Sequence, residues 1–110
     1  MEFAIKEHSA ETVICEISGR LLTNDEVNEI ITALNEYLDA NIVMDLKNLE
    51  YTSSSGLSLF IRLLTRTRIQ NKKIVLTNIQ ENVLKLFKIT KLNDIFSISN
   101  SMESALKSVK

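Results

Sequence analysis

A run of four hydroxyl side chains stands directly before the most apolar stretch of the chain. The run consists of Thr52, Ser53, Ser54 and Ser55, followed by Gly56 and Leu57. A hydroxyl at a helix start caps it by accepting a hydrogen bond from a free backbone N–H group, and the helix dipole favours an anion at the same place. Three consecutive serines exceed what one cap needs, and Gly56 indicates a close approach by backbone or partner. The run is therefore typical either of a plain helix cap or of a place where an added phosphate is stabilised.

Other residues that could do chemistry are few. His8 is the only histidine and lies in a predicted loop, where a solvated side chain is the simple interpretation. Cys15 alternates with Val13 and Ile17, which predicts a buried core thiol. The sequence contains no metal-ligand spacing, glycine-rich phosphate loop or Ser-His-Asp set. These observations argue against a catalytic class, and we expect neither a metal nor a cofactor.

Asp45 ends an apolar strand, as the phospho-acceptor of a receiver domain does. A receiver domain also needs an acidic pair after its first strand, whereas Ser18, Gly19 and Arg20 follow Ile17 here. The favoured interpretation of Asp45 is a polar strand end.

Composition narrows the class of protein further. Thirteen basic and fourteen acidic residues leave a formal charge of −1, so the chain has no basic excess with which to bind nucleic acid. No apolar run approaches the roughly 20 residues that a membrane span needs, and the amino terminus lacks the order of a signal peptide. A single cysteine fits a reducing compartment. We expect a cytoplasmic protein with no membrane insertion.

The periodicity of apolar residues predicts about five strands and about four helices. Strands are predicted near residues 3–6, 13–18, 42–46, 74–76 and 95–98. Helices are predicted from a capping box at Thr23 and Glu26, over residues 57–69, from Asn78 and Glu81 to about Thr90, and from Ser101 onward. Gly19 is expected to end the second strand, and Leu38 to lie on the apolar face of the first helix. The alternation predicts a single α/β domain over residues 1–110, with a mixed, mostly parallel sheet.

Three motifs recur in a characteristic order along the chain. The first is Ile17-Ser18-Gly19-Arg20-Leu21, a strand that ends in Gly-x-Leu before a helix. The second is Val43-Met44-Asp45-Leu46 followed by Ser53-Ser54-Ser55-Gly56-Leu57. The third, looser one is Ile74-Val75-Leu76-Thr77-Asn78 with Val83-Leu84-Lys85-Leu86-Phe87, and a closing Ser101-Met102-Glu103-Ser104-Ala105-Leu106. Together, and over nearly all 110 residues, they resemble the STAS domain family of bacterial anti-anti-sigma factors, also called anti-sigma factor antagonists.

The resemblance implies a switch based on phosphorylation. Ser54 matches the first serine of the family's Asp-Ser-Ser-Gly motif and would be the phospho-acceptor, with Thr52, Ser53 and Ser55 as secondary candidates. The unphosphorylated form would bind an anti-sigma factor that is also a serine kinase, and a serine phosphatase would reverse the modification. The resemblance places a partner-binding surface at Arg20, Leu21, Leu22, Thr23, Asn24, Ser53, Ser55, Gly56 and Leu57.

Two positions depart from the family pattern. Ser53 stands where the family usually has aspartate, and Leu22 stands where an aspartate usually follows Gly-x-Leu. These departures keep an alternative open, a non-switching STAS scaffold or an accessory subunit of a signalling or lipid-transport complex. A third hypothesis that the resemblance allows is nucleotide binding.

Overall fold

The computed structural model describes residues 1–109. It contains six strands and four helices within that range. The strands are β1 (Glu2–Ser9), β2 (Thr12–Leu21), β3 (Asn41–Asp45), β4 (Leu49–Thr52), β5 (Ile74–Thr77) and β6 (Ser97–Ser99). The helices are α1 (Asn24–Leu34), α2 (Ser54–Ile69), α3 (Glu81–Ile89) and α4 (Met102–Ser108), with short 3-10 helices at Asn35–Tyr37 and Leu92–Asp94.

The strands form one mixed sheet in the order β1-β2-β3-β5-β6. β1 pairs with β2 antiparallel, and the other pairings along this order are parallel. The predicted mixed, mostly parallel sheet flanked by helices is therefore confirmed. One of the six strands, β4, was not predicted. It pairs in parallel with the end of β2, where Arg20 lies opposite Tyr51 and Leu21 opposite Thr52.

The two faces of the sheet carry cores of very different size. On one face, apolar residues of α1, α2 and α3 pack on inward side chains of β2, β3 and β5, with Phe60 and Phe87 in edge-to-face contact at 5.3 Å between ring centroids. On the other face α4 alone covers a small cluster, through Ala105 and Val109 on Val43 and Val75. β3 is buried along its whole length, as its apolar run predicts.

The predicted capping box of α1 is confirmed, because Thr23 accepts from the Glu26 N–H group while the Glu26 carboxylate accepts from the Thr23 N–H group. Three local predictions were wrong. β2 continues past Gly19, which sits in an irregularity of the β2–β4 pairing with φ of +82°. Leu38 is 49% exposed, and His8 lies in β1 rather than in the following turn.

The start of α3 also differs from the prediction. Asn78 does not cap this helix, since the capping position belongs to Gln80. Asn78 instead has a positive φ of 58° and donates from its side-chain amide to Asp45 Oδ1 at 3.2 Å. The same carboxylate oxygen accepts from the Lys47 N–H group at 3.2 Å. Asp45 is thus a polar strand end that ties β3 to the loop after β5, which confirms the favoured interpretation of this residue.

Candidate functional site

The candidate site lies at the amino-terminal end of α2, where the chain leaves β4. Ser53 is the capping residue, and its hydroxyl oxygen accepts from the Gly56 N–H group at 3.1 Å. The same hydroxyl donates to the carbonyl oxygen of Leu22 at 2.8 Å, and the Ser53 N–H group donates to the carbonyl of Leu21 at 3.0 Å. These bonds fasten the start of α2 to the connection between β2 and α1.

The four hydroxyls of the run have different surroundings. Thr52 is fully buried, and its hydroxyl donates to the Ser53 carbonyl oxygen at 3.2 Å. Ser55 is half-buried, and both hydrogen-bonding functions of the Ser53 hydroxyl are in use. Ser54 is exposed at the first position of α2, and its hydroxyl forms no hydrogen bond among residues 1–109. The Ser55 hydroxyl also forms no hydrogen bond among these residues, so Ser54 differs from it by being exposed rather than half-buried.

The backbone beside Ser54 favours negative charge. A helix start leaves several N–H groups without an intrahelical acceptor. At the start of α2 the Ser53 N–H group donates to the Leu21 carbonyl, and the Gly56 N–H group donates to the Ser53 hydroxyl. The N–H groups of Ser54 and Ser55, which lie between them, have no acceptor within the helix. Together with the helix dipole, these two groups form the anion-favouring end that the sequence predicts.

Gly56 allows α2 to start close to the strands. A Cβ atom at this position would lie 2.6 Å from the carbonyl oxygen of Leu21 and would overlap Thr52 Oγ1. Any side chain would therefore push the helix away from β2 and β4. The close approach that the sequence indicated at Gly56 is made by the protein's own backbone and side chains.

The predicted partner-binding residues divide into exposed and supporting ones. Four of them are exposed at the same end of the molecule as Ser54, namely Arg20, Leu22, Thr23 and Asn24. Leu21, Gly56 and Leu57 are buried, with Leu21 fully and Leu57 94% removed from solvent, so they support the surface from beneath. Leu22, where the family usually has aspartate, is 40% exposed and offers an apolar contact.

Two further residues, Tyr51 and Glu26, belong to this surface and were not among the predicted partner-binding residues. Tyr51 is 39% exposed, and the Arg20 guanidinium lies over its ring at 5.2 Å from the centroid. This pair depends on the β2–β4 pairing, and β4 had not been predicted. Glu26 accepts from the N–H groups of Leu22 and Thr23 at 2.9 and 3.1 Å. The bond from the Leu22 backbone is the main cause that lowers the pKa of Glu26.

Other reactive groups lie away from this surface or are shielded. Burial raises the pKa of the Cys15 thiol to about 12, so it stays protonated and inert. Within residues 1–109, no group of three or more His, Cys, Asp or Glu side chains is arranged to hold a metal ion. No helix in the same range is long and apolar enough to cross a membrane.

Comparison with known proteins identifies the family to which this chain belongs. The sequence profile of the STAS domain matches residues 4–105, and the chain belongs to the STAS domain family. It is 27% identical over 81 residues to the anti-sigma-B factor antagonist of Staphylococcus aureus (strain NCTC 8325 / PS 47), which covers 74% of this chain and 75% of that protein. The anti-sigma-B factor antagonist of Staphylococcus epidermidis is 26% identical over a stretch of the same length, with the same coverage.

Solved structures share the fold. The anti-sigma factor antagonist SpoIIAA in its unphosphorylated form superposes with a TM-score of 0.84 at 20% identity, over 98% of this chain and 96% of that one. The Bacillus cell fate determinant SpoIIAA in the phosphorylated form gives 0.77 at 19% identity, over 99% and 100% of the two chains. A putative anti-sigma factor antagonist from Thermotoga maritima gives 0.82 at 18% identity, over 97% and 93%.

Proposed function

We propose that this chain is a cytoplasmic anti-sigma factor antagonist that binds an anti-sigma factor with serine kinase activity and thereby frees a sigma factor. Phosphorylation of Ser54 ends the binding, and a serine phosphatase restores it. The observation that carries the proposal is the position of Ser54. Ser54 is exposed and its hydroxyl is free of hydrogen bonds at the first residue of α2, while Thr52 is buried, Ser53 has its hydroxyl bonded on both sides and Ser55 is half-buried.

A phosphate at Ser54 would act mainly through charge. It adds about −1.5 to −2 charges and three acceptor oxygens. The Ser54 and Ser55 N–H groups and the dipole of α2 stabilise such a group in the free protein. A partner seated on Leu22 and Tyr51, which are 40% and 39% exposed, would instead have to remove water from the phosphate. The cost of that desolvation lowers affinity without refolding either protein.

The two departures from the family pattern are compatible with this switch. Ser53 provides the acceptor for the Gly56 N–H group that an aspartate would also provide, and it adds a donor to the Leu22 carbonyl that a carboxylate lacks. The cap is therefore kept without its charge. Leu22 replaces a second acidic side chain by an apolar one. We infer that the anti-sigma factor of this protein presents a less basic and more apolar surface here.

Those same departures favour the second candidate function, a non-switching STAS scaffold or an accessory subunit of a signalling or lipid-transport complex. Loss of two acidic residues weakens any kinase contact that depends on them, while the exposed Leu22 still supports binding. In this case the protein co-purifies with its complex and carries no phosphate at Ser54.

The experiment that separates the two candidates is phosphate mapping. The protein is incubated with its anti-sigma factor and ATP, and intact mass and fragment spectra are recorded for the wild type, Ser54→Ala and Ser55→Ala. One added phosphate at Ser54, lost in Ser54→Ala and kept in Ser55→Ala, is the expected result. A stable complex with no phosphate would contradict the switch and leave the scaffold.

Charge can be tested separately from the modification. Ser54→Asp is expected to weaken binding to the anti-sigma factor by about tenfold or more, because it introduces charge at the contact. Ser54→Ala is expected to bind as the wild type does. Isothermal titration calorimetry gives both affinities, and equal affinity of Ser54→Asp and the wild type would refute the charge mechanism.

A further inference from the structure

The end of the molecule opposite Ser54 is divided into an acidic and a basic half. At this end, which we call the amino-end face, the parallel strands β2, β3, β5 and β6 begin. The acidic half lies beside β1 and β2 and the basic half beside β5 and β6. Each half contains an open cleft, of about 420 Å³ in the acidic half and about 340 Å³ in the basic half.

The acidic half combines negative charge with an exposed apolar side chain. Glu7, Glu36 and Asp39 line its cleft, all three are exposed, and none of them forms an ion pair among residues 1–109. No basic residue lines the cleft. Leu38 lies between Glu36 and Asp39 with 49% of its surface exposed. It is an apolar projection bordered by carboxylates.

The basic half has the complementary character. Arg68, Lys72 and Lys73 line its cleft, and none of them forms an ion pair with another described residue. The Lys73 ammonium reaches only the Ser108 carbonyl, at 3.5 Å. No acidic residue lines this cleft. Its remaining lining combines apolar residues, the buried Leu64, Ile74 and Val75 and the 46% exposed Ile95, with Thr67, Ser97 and Ser108. It is a partly apolar depression bordered by cations.

Asn41, the first residue of β3, fixes the two halves relative to each other. Its N–H group donates to the Glu11 carbonyl at 2.7 Å, on the acidic side. Its side-chain oxygen accepts from the Lys73 N–H group at 2.9 Å, on the basic side, and its amide donates to the Val109 carbonyl at 3.2 Å. The acidic and basic halves therefore lie on either side of one buried residue that is hydrogen-bonded to both.

We propose that the amino-end face binds a second copy of this chain. A two-fold axis perpendicular to the sheet and close to Asn41 brings the amino ends of two copies together and exchanges their left and right sides. The acidic half of each copy then meets the basic half of the other, and the contact closes after two copies, as an isologous interface does. Charge complementarity of this kind selects the partner and fixes its orientation.

Leu38 is the apolar anchor of this contact. In each copy it enters the basic cleft of the other, against Ile95, while Glu36 and Asp39 face Lys72 and Lys73 across the rim. An apolar anchor in a pocket with a charged rim is the usual arrangement of a protein interface. The dimer leaves Ser54 of both copies at its outer ends, so this inference does not rest on the proposed function.

Sedimentation equilibrium of the full chain tests the proposal, at protein concentrations up to about 1 mM and in about 20 mM and about 500 mM salt. The expected result is a monomer–dimer equilibrium at low salt whose dissociation constant rises about tenfold or more at high salt. A protein that stays monomeric at low salt would overturn the proposal. Species heavier than the dimer would contradict the two-fold arrangement.

Charge reversal supplies the decisive comparison. Two double variants reverse the charge of one half each: Lys72→Glu with Lys73→Glu in the basic half, and Glu36→Lys with Asp39→Lys in the acidic half. Each double variant is expected to raise the dissociation constant about tenfold or more. An equimolar mixture of the two variants is expected to form a heterodimer, because one copy then offers two acidic halves and the other two basic halves. Lys47→Glu with Lys85→Glu lowers the net charge by as much as Lys72→Glu with Lys73→Glu does, but at exposed positions outside the amino-end face, and should dimerise as the wild type does. Failure of the mixture to associate would refute this geometry.

Discussion

The hydroxyl of Ser53 donates to the carbonyl oxygen of Leu22 across 2.8 Å, and so connects two segments that are 31 residues apart in sequence. At the same time it accepts from the Gly56 N–H group, so one small side chain caps α2 and holds the loop before α1. An aspartate could accept from the Gly56 N–H group but has no hydrogen to donate to the Leu22 carbonyl. Serine at this position can therefore cap α2 and hold the loop before α1 at once, whereas an aspartate could only cap the helix.

Removal of this hydroxyl should destabilise the protein. Ser53→Ala loses both bonds, and we expect the free energy of unfolding to fall by about 1 to 2 kcal/mol. Ser53→Asp keeps an acceptor for Gly56 but has no donor for Leu22, so its stability should lie between those of the alanine variant and the wild type. Urea unfolding followed by circular dichroism measures the three values. Equal stability of Ser53→Ala and the wild type would show that the bonds contribute nothing.

A side chain at position 56 should disturb the start of α2. In Gly56→Ala the new methyl group meets Thr52 Oγ1 and the Leu21 carbonyl oxygen, and we expect a loss of about 1 to 3 kcal/mol. Gly19→Ala is a matched control, because its new Cβ would lie 3.5 Å from the nearest atom while its φ of +82° costs about 1 kcal/mol. Gly56→Ala should therefore unfold at lower urea concentration. The reverse order would mean that the helix start relaxes without strain.

The Cys15 thiol should make stability depend on alkaline pH. Burial raises its pKa to about 12 in the folded protein, whereas an unfolded thiol titrates near about 8.5. The protonated thiol contributes its full amount to the free energy of unfolding below pH of about 8.5. As pH rises toward 12 the unfolded chain loses this proton and the folded protein keeps it, so stability falls by up to about 1.4 kcal/mol per pH unit. The difference in unfolding free energy between the wild type and Cys15→Ala should shrink over that range. A constant difference would exclude a buried, protonated thiol.

Glu26 should act in the opposite pH range. The Leu22 backbone bond, followed by the other donors around it, lowers the pKa of Glu26 in the folded state. Its contribution is present above the ordinary glutamate pKa of about 4.3 and is lost as pH falls through the lower folded value. Glu26→Gln should therefore be less stable than the wild type at pH of about 7, with a smaller difference at pH of about 3. Glu29→Gln on the same helix is the matched control, because its carboxylate accepts no hydrogen bond among the described residues, and at pH of about 7 it should leave stability closer to that of the wild type than Glu26→Gln does.

Features with a strong local signal could be predicted from the sequence. The capping box of Thr23 and Glu26 and the fully buried β3 depend on residues close together in the chain. β4 has only four residues, two of them exposed, and its partner is the end of β2. Such a pairing leaves little local pattern. The Arg20–Tyr51 contact could not be foreseen, because it exists only through that pairing.

Prediction from local sequence patterns failed where one pattern is compatible with two different local structures. Asn followed three residues later by Glu is typical of a helix cap, but asparagine also tolerates a positive φ, and the bond from Asn78 to Asp45 favours the second use. Leu38 was expected on the apolar face of α1. The 3-10 helix Asn35–Tyr37 changes the helical period after Leu34 and turns Leu38 outward.

The Ser54 environment was predicted in part. The serine run correctly indicated a helix start, yet the sequence left open which serine forms the cap. That depends on the residue at which β4 ends, since the Ser53 N–H group extends the β2–β4 pairing to the Leu21 carbonyl. The predicted acceptor, Ser54, stays a prediction until phosphate mapping tests it.

β2 changes its pairing partner along its length, and this affects how the surface around Arg20 and Tyr51 can change by mutation. As far as Glu16 the strand pairs with β3 in the main sheet, and from Gly19 onward it pairs with β4 instead. Arg20 and Tyr51 therefore stand on a two-stranded extension, outside the ladder of the central strands. Substitutions of their exposed side chains alter recognition while the central hydrogen-bonded ladder stays intact. One scaffold can in this way acquire new binding preferences by mutation while its capacity to fold is conserved.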